Sequence, residues 1–259
     1  MISSSSNAKV KHVIALKKKA KLRKEEGLFL VEGIKMVEEA ISYGIVEAYI
    51  SETGYETYAS SHSHVLERIP YEIVSDKVFG EMSDTITPQG VLAVVTMPQY
   101  DLLEMIQGGN GHFILLEDLR DPGNLGTIIR SAEGAGATGV ILSKESVDIF
   151  NPKVIRSTMG SIFRVPFCYV EDFVGTTRLL KKHHIPLYAA HLRGSDNYEA
   201  FDYKKPCGFL IGNEANGLSE VASKEADCLI KIPMAGQVES LNAAMAASIL
   251  MFEVARQRR

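Results

Sequence analysis

Apolar positions along this chain fall into short continuous runs separated by helical patterns. The run "LFLVEG" (28–33) has the character of a strand, and "IKMVEEAISYG" (34–44) carries Ile34, Val37, Ala40 and Ile41 at helical spacing, with Gly44 as its stop. "VEAYIS" (46–51), "YEIVS" (71–75) and "GVLAVVTM" (90–97) predict further strands, and "DKVFGEM" (76–82) a short helix. Together these predict a small α/β domain over residues 1–98. The stretch "MPQYDLLEMIQGGNGH" (97–112) has a Pro, a Gly-Gly-Asn-Gly cluster and little periodicity, so the domain boundary is expected there.

From Phe113 onward, strand and helix patterns alternate. "FILLE", "GVILS", "VPFCYV", "PLYAAH", "GFLIG" and "CLIKIP" predict strands, with helices at about 124–135, 151–160, 172–184, 217–224 and 240–257. Continuous apolar strands between helices predict a parallel sheet covered on both faces, so residues 110–259 are expected to form an α/β domain.

Composition narrows the function classes. Apolar residues make up 46% of the 259 and charged residues 23%, as in ordinary globular proteins. A net charge of −4 excludes a global field that draws the protein onto nucleic acid. Polyanion binding therefore needs a local patch, and one is present: Lys9, Lys11, Lys17, Lys18, Lys19, Lys21, Arg23 and Lys24 fall within residues 9–24 without an intervening acid. Such a run serves equally as a solvated helix face or as a phosphate-binding surface. Cys168, Cys207 and Cys228 form no CxxC pair, which points to a reduced compartment and away from a disulfide framework or a cysteine-rich zinc site. The histidines show no ligand spacing, so no metal site is expected. The N-terminus has no apolar signal region, and "AAMAASILMF" is about half the length of a membrane span. A cytoplasmic protein without membrane contact is expected.

In open α/β sheets, ligands bind beyond the carboxyl ends of the strands. Three loops there carry unexplained polar residues. In "DPGNLGTIIRSAEG", Asp121-Pro122-Gly123 makes a turn and Asn124 is placed to cap the following helix, while Arg130 lies opposite the stripe of Leu125, Ile128, Ile129, Ala132 and Gly136. Taken alone, Arg130 reads first as an ordinary surface arginine. In "NEANGLS", Glu214 sits between Gly212 and Gly217 and is either solvated or functional. In "IPMAGQVESLNAAMAAS", Ser240 occupies an expected N-cap, and Asn242 falls in a first helical turn that does not favour it. Leu241, Ala244, Met245, Ser248, Met251, Phe252 and Ala255 form the expected core stripe of that last helix. "GAGATG" (134–139) has the spacing of a dinucleotide fingerprint in reversed context, closing a helix before a strand, so it reads as a helix stop.

Together, "NLGTIIRSAEGAGATGVIL", "FLIGNEANGLS" and "IPMAGQVESLNAAMAASILMFEVAR" resemble, in order and spacing, the three motifs of the SpoU (TrmH) family of RNA ribose 2′-O-methyltransferases, of the SPOUT superfamily. "NPKVIRSTMGSIFRVPF" is similar to the segment between the family's first and second motifs. The resemblance spans residues 113–257. The basic N-terminal part with "FLVEG" resembles the ribosomal-protein-like substrate-binding domain often fused to these enzymes.

The resemblance implies a parallel-sheet domain with a trefoil knot, a homodimer, S-adenosyl-L-methionine as cofactor and RNA as partner, ribosomal RNA first and tRNA second. It implies a cofactor pocket at Leu210, Ile211, Gly212, Ile232, Met234 and Leu241, and catalytic positions at Asn124, Arg130, Glu214, Ser240 and Asn242. For the lysine and arginine run, and for Arg156 between the motifs, it implies RNA binding. Ala215 and Ala243 depart from the family pattern by small apolar replacements. A non-catalytic RNA-binding protein of the same fold is the alternative; the reversed glycine motif disfavours a nucleotide-dependent oxidoreductase.

Overall fold

The computed structural model describes residues 1–192, 194 and 196–259, and in it each strand expected from an apolar run forms. In chain order, the elements are α1 (Ala8–Lys18), α2 (Ala20–Glu26), β1 (Leu28–Glu32), α3 (Ile34–Ala40), β2 (Ile45–Ser51), α4 (Glu52–Ser61), α5 (Ser63–Leu66), β3 (Tyr71–Val74), α6 (Asp76–Met82) and β4 (Val91–Thr96). Next come α7 (Leu102–Ile106), β5 (His112–Leu116), α8 (Pro122–Gly134), β6 (Gly139–Ser143), α9 (Pro152–Thr158), β7 (Phe167–Val170) and α10 (Phe173–Lys182). The chain finishes with β8 (Leu187–Ala190), β9 (Asp196–Asn197), β10 (Cys207–Ile211), α11 (Glu220–Glu225), β11 (Cys228–Lys231) and α12 (Ala243–Gln257).

Two compact units result. The first comprises Met1–Pro98 together with Asp148–Phe163. Its sheet has the order β1-β4-β2-β3, with β4 antiparallel to β1 and β2, and β2 parallel to β3. Val10, Val13 and Leu16 of α1 pack on Leu30, Tyr49, Phe79, Met82 and Leu92. The segment Asp148–Phe163 was expected in the C-terminal domain, but its contacts are with the first unit. Phe29 takes Phe150 and Phe163 at ring-centroid distances of 4.8 and 6.0 Å, and Arg23 pairs with Asp148.

The second unit comprises Gln99–Val147 and Arg164–Arg259. Its seven strands are all parallel, in the order β7-β6-β5-β10-β8-β11-β9. Each residue of β5, β6 and β10 is buried, which is why these runs are apolar without alternation. From β5 the chain steps outward to β6 and β7, then returns past β5 to build β8 and β10 on its other side. The point where the order reverses lies between β5 and β10, the place where a sheet of this class opens a ligand crevice.

"GAGATG" closes α8: Gly136 has φ 68°, and the Ala137 amide donates to the Ala132 carbonyl at 2.8 Å before β6 begins. In α12 the buried arc is Ala244, Ala247, Leu250, Met251 and Val254. Met245 and Phe252, expected in the core stripe, are 55% and 45% exposed. The buried arc is rotated from the expected one because its rows pass through Ala247, Leu250 and Val254 instead. The three cysteines are free, and no helix among the described residues is long and apolar enough to cross a membrane.

Candidate active site

The loops after β5 and β10 and the N-terminus of α12 meet through side chains. After β5, Asp118 takes a left-handed φ of 53°, its amide donating to Ser143 Oγ at 2.8 Å while that hydroxyl donates to Asp118 Oδ1 at 2.7 Å. Asp121 caps α8 by accepting from the Asn124 amide at 2.7 Å, with Pro122 opening the helix. Asn124, expected as the cap, therefore stands one turn inside, which frees its carboxamide.

After β10, Gly212 has no room for a side chain: a Cβ there would lie 2.1 Å from the Gly217 carbonyl carbon. Gly217 itself has φ 68°. Asn213 and Gly217 exchange backbone hydrogen bonds of 3.1 and 2.8 Å, and the Asn213 side chain donates to the Asp118 carbonyl at 2.8 Å. That tight turn presents Glu214 to the neighbouring loop. Its carboxylate accepts from the amides of Arg120 and Asp121 at 3.1 and 3.0 Å and from Asn124 Nδ2 at 2.9 Å. Desolvation acts to raise its pKa, but these hydrogen bonds outweigh it and hold the carboxyl below the usual carboxylate range.

Asn124 Oδ1 in turn accepts from Asn242 Nδ2 at 2.9 Å. Asn242 is the N-cap of α12, and its Oδ1 accepts from the amides of Ala244 and Met245 at 2.9 and 3.3 Å. This corrects the expected helix start: Ser240 is not the cap, and Asn242 is not inside the first turn. Asn is a favoured cap, so its helix propensity was never at odds with its place. Three loops far apart in sequence thus form one hydrogen-bonded line, Glu214 to Asn124 to Asn242 to α12.

Beside this line the loop from β11 to α12 has its apolar residues Ile232, Met234 and Leu241 half-buried. Among the described residues, the amides from Met234 to Leu241 donate no hydrogen bond within the chain. Half-buried apolar side chains next to unspent backbone donors fit a flat heteroaromatic ligand with polar edges. Leu210 and Ile211 are buried in the sheet, so only their backbone at the strand end can meet a ligand.

Residues 111–252 match the SpoU rRNA Methylase family, and residues 7–93 match the MRM3-like substrate binding domain. The chain belongs to the SpoU rRNA methylase family. This SpoU methylase is 33% identical to the 23S rRNA (guanosine(2553)-2'-O)-methyltransferase RlmP of Bacillus subtilis, over 98% of each chain. It is 32% identical to the 23S rRNA (uridine(2479)-2'-O)-methyltransferase of Streptomyces viridochromogenes, over 98% of this chain and 92% of the other. Among solved structures it is similar to the SpoU methyltransferase AviRb of Streptomyces viridochromogenes in complex with AdoMet, with a TM-score of 0.87 and 30% identity over 97% and 98% of the two chains.

Two expected site residues stand apart from the hydrogen-bonded line of this SpoU methylase. Ser240 is exposed, two positions before the cap. Arg130 is exposed on α8, six residues beyond Asn124, which is about 9 Å along the axis and on a different face. In the first unit, Lys11, Lys18, Lys19 and Lys21 are exposed, and Lys9 pairs with Glu72. Three more of the expected RNA-binding residues, Arg23, Lys17 and Arg156, are likewise engaged with the protein. Arg23 is 2% exposed, pairs with Asp148 and donates to the Leu16 carbonyl. Lys17 spends its ammonium on the carbonyls of Glu81 and Ser83 at 2.7 and 2.6 Å. Arg156 pairs with Asp84 at the surface.

Glu117, Asn213 and Ser219 were not anticipated. Glu117 accepts from both the amide and the hydroxyl of Ser219, each at 2.7 Å, and so pins the far end of the Glu214 loop. Only the choice of Ser before a helical pattern signalled part of this.

Proposed function

We propose that the chain transfers a methyl group from S-adenosyl-L-methionine to a ribose 2′-hydroxyl in RNA, with ribosomal RNA as the substrate class. The observation that carries this reading is the bond between Asn124 and Asn242. With the bond from Asn124 to Glu214 it ties the three motif loops together at the strand-order switch, in a chain whose likeness to named 23S rRNA 2′-O-methyltransferases runs nearly end to end.

The backbone at Leu210, Ile211 and Gly212 and the walls at Ile232, Met234 and Leu241 would hold the cofactor. When bound, it supplies a methyl already activated by its sulfonium, so the protein need provide neither a nucleophile nor a metal. Glu214 acts as a positioning residue: held by two backbone amides, its carboxylate fixes the Asn124 side chain. Asn124 and Asn242 hold the loop and the start of α12 in register. Ser240, exposed two positions before the α12 cap, would meet the substrate.

Arg130 has a different task. A guanidinium keeps its protons at neutral pH, so it binds the RNA phosphate and stabilises the developing alkoxide; it does not abstract the proton. Its distance along α8 from Asn124 suits a site completed by a second copy. A homodimer through α8 and α12 agrees with the exposure of Met245 and Phe252 there. The first unit holds the RNA through Lys11, Lys18, Lys19 and Lys21. The return of the chain from β11 to α12, against α8, supports a knotted passage there. An RNA substrate is compatible with a cytoplasmic place.

Incubating the protein with S-adenosylmethionine and ribosomal RNA, then mapping ribose methylations, tests the reading. A new 2′-O-methyl nucleotide that disappears in Arg130→Ala is the expected result, and methylation of tRNA alone would redirect the substrate assignment.

A further inference from the structure

The first unit contains a cleft of about 330 Å³ at the carboxyl ends of β2 and β3 that methyl transfer does not use. This volume lies within the range of small-ligand sites. Its back is rigid, since Gly54 and Gly90 touch through their backbones: a Cβ on Gly54 would fall 2.3 Å from the Gly90 carbonyl oxygen. The Ser51 amide donates to that same carbonyl at 2.9 Å. Its outer wall, Pro88 to Gly90, is held by Glu32, which accepts from the Gln89 amide at 3.0 Å.

The Gln89 carboxamide apart, the side-chain hydroxyls and carboxylate of the lining only accept. Thr53 Oγ1 donates to Asp76 Oδ2 at 2.7 Å, Thr57 Oγ1 to the Thr53 carbonyl at 2.8 Å, and the Tyr58 hydroxyl to the Gln89 carbonyl at 2.9 Å. Each of these hydroxyls has spent its single hydrogen inside the chain and offers only lone pairs to the cleft. Asp76 adds a carboxylate that already accepts from Thr53 on each oxygen, at Oδ1 from its amide at 3.1 Å and at Oδ2 from its hydroxyl, and keeps a second lone pair on each; among the described residues, no Lys, Arg or His lines the site. Such an edge repels phosphate and carboxylate and selects a ligand edge that donates. Tyr58 and Pro88 supply apolar surface for a flat ring, over a floor closed by the buried Phe79.

We propose that this cleft binds an unpaired guanine of the RNA ligand, its N1–H and N2 amino group turned to Asp76. Guanine alone among the four bases carries two adjacent donors on its pairing edge. Adenine and cytosine set a ring acceptor beside their amino group, and uracil flanks one N–H with two carbonyls. Single-stranded RNA is read through these edges combined with stacking. The assignment rests on the RNA-binding reading above, and it concerns a nucleotide read by the first unit, whichever nucleotide is methylated.

The test is a titration of the isotopically labelled full-length protein with 5′-GMP, AMP, CMP and UMP, and separately with spermidine and Mg²⁺, followed by amide resonances. GMP is expected to shift Thr53, Gly54 and Gly90 with an affinity about tenfold above the other nucleotides, the low end of what one bidentate base contact discriminates. Asp76→Asn should remove that preference. Thr57→Phe, which fills the cleft from an exposed helix position, should abolish the shifts, with S-adenosylmethionine binding in both variants as the check on folding. Equal responses to all four nucleotides, no response, survival of the GMP shifts in both variants, or stronger occupation by spermidine or Mg²⁺ would each overturn the assignment. A protein that methylates ribosomal RNA yet ignores GMP loses only the guanine cleft. One that binds GMP here and methylates nothing loses only the enzymatic reading.

Discussion

Asn242 donates to Asn124 across 2.9 Å while its own carboxamide oxygen caps α12. The two functions can be separated. Asn242→Asp keeps the cap and removes the donor, so its thermal midpoint should stay near that of the wild type while turnover falls roughly a hundredfold, the scale of an ångström-sized misplacement. Asn242→Ala removes both and should also lose about 1 kcal/mol of stability. Thermal melts beside single-turnover methylation distinguish the pair; full turnover in the Asp variant argues against a positioning role.

Arg130→Ala should bind S-adenosylmethionine normally and fail to transfer methyl. If the arginine completes the partner's site, mixing Arg130→Ala with Asn242→Asp protein should restore part of the activity through hybrid dimers. Each variant alone stays at its own low level. A mixture no better than its components places Arg130 in its own subunit's site.

The basic N-terminal run should divide into two behaviours. Replacing the exposed Lys18, Lys19 and Lys21 by Ala should weaken RNA binding and flatten its salt dependence without moving the thermal midpoint. Arg23→Ala removes four hydrogen bonds, two to Asp148 and two to the carbonyls of Leu16 and Lys17, and strands Asp148, with an expected loss of about 3 kcal/mol or more. Denaturation and filter binding on both proteins check the division.

His112 is fully buried with neither ring nitrogen hydrogen-bonded, and burial, aided by the nearby Arg258 charge, pushes its pKa down to about 3. Below the ordinary histidine pKa, the unfolded chain takes up a proton that the folded one refuses. Stability from this group is therefore complete above about pH 6.5 and drains away as pH falls toward 3, about 2 kcal/mol of it by pH 5. Urea denaturation at pH 7.5 and pH 5 should show a smaller acid loss in His112→Leu than in the wild type. An identical loss in both would assign the acid sensitivity elsewhere.

How far the sequence disclosed this structure depends on the range of each interaction. Apolar runs disclosed the parallel sheet because burial on both faces leaves its mark within five residues. Asn124 and Glu214 could be named from their loops, but their bond spans 90 positions and has no local signature. The tie between Glu117 and Ser219, 102 positions apart, left no trace beyond a cap preference. Asn242 was singled out through a mistaken helix boundary: moving the start of α12 by three residues turns an ill-suited interior residue into a well-suited cap. Lys17 and Arg23 look like their exposed neighbours in a list of charges, and only the elements folded over them set them apart.

Glu214 has one further consequence. An amide has a donating and an accepting end, and a carboxylate can only accept. By taking the donor end of Asn124, Glu214 obliges its oxygen to face Asn242, which in turn leaves the Asn242 oxygen for the helix. One charge sets the polarity of every link after it. The three positions should therefore vary together among descendants of this chain: a lineage that gives up the carboxylate loses the instruction that orients both asparagines.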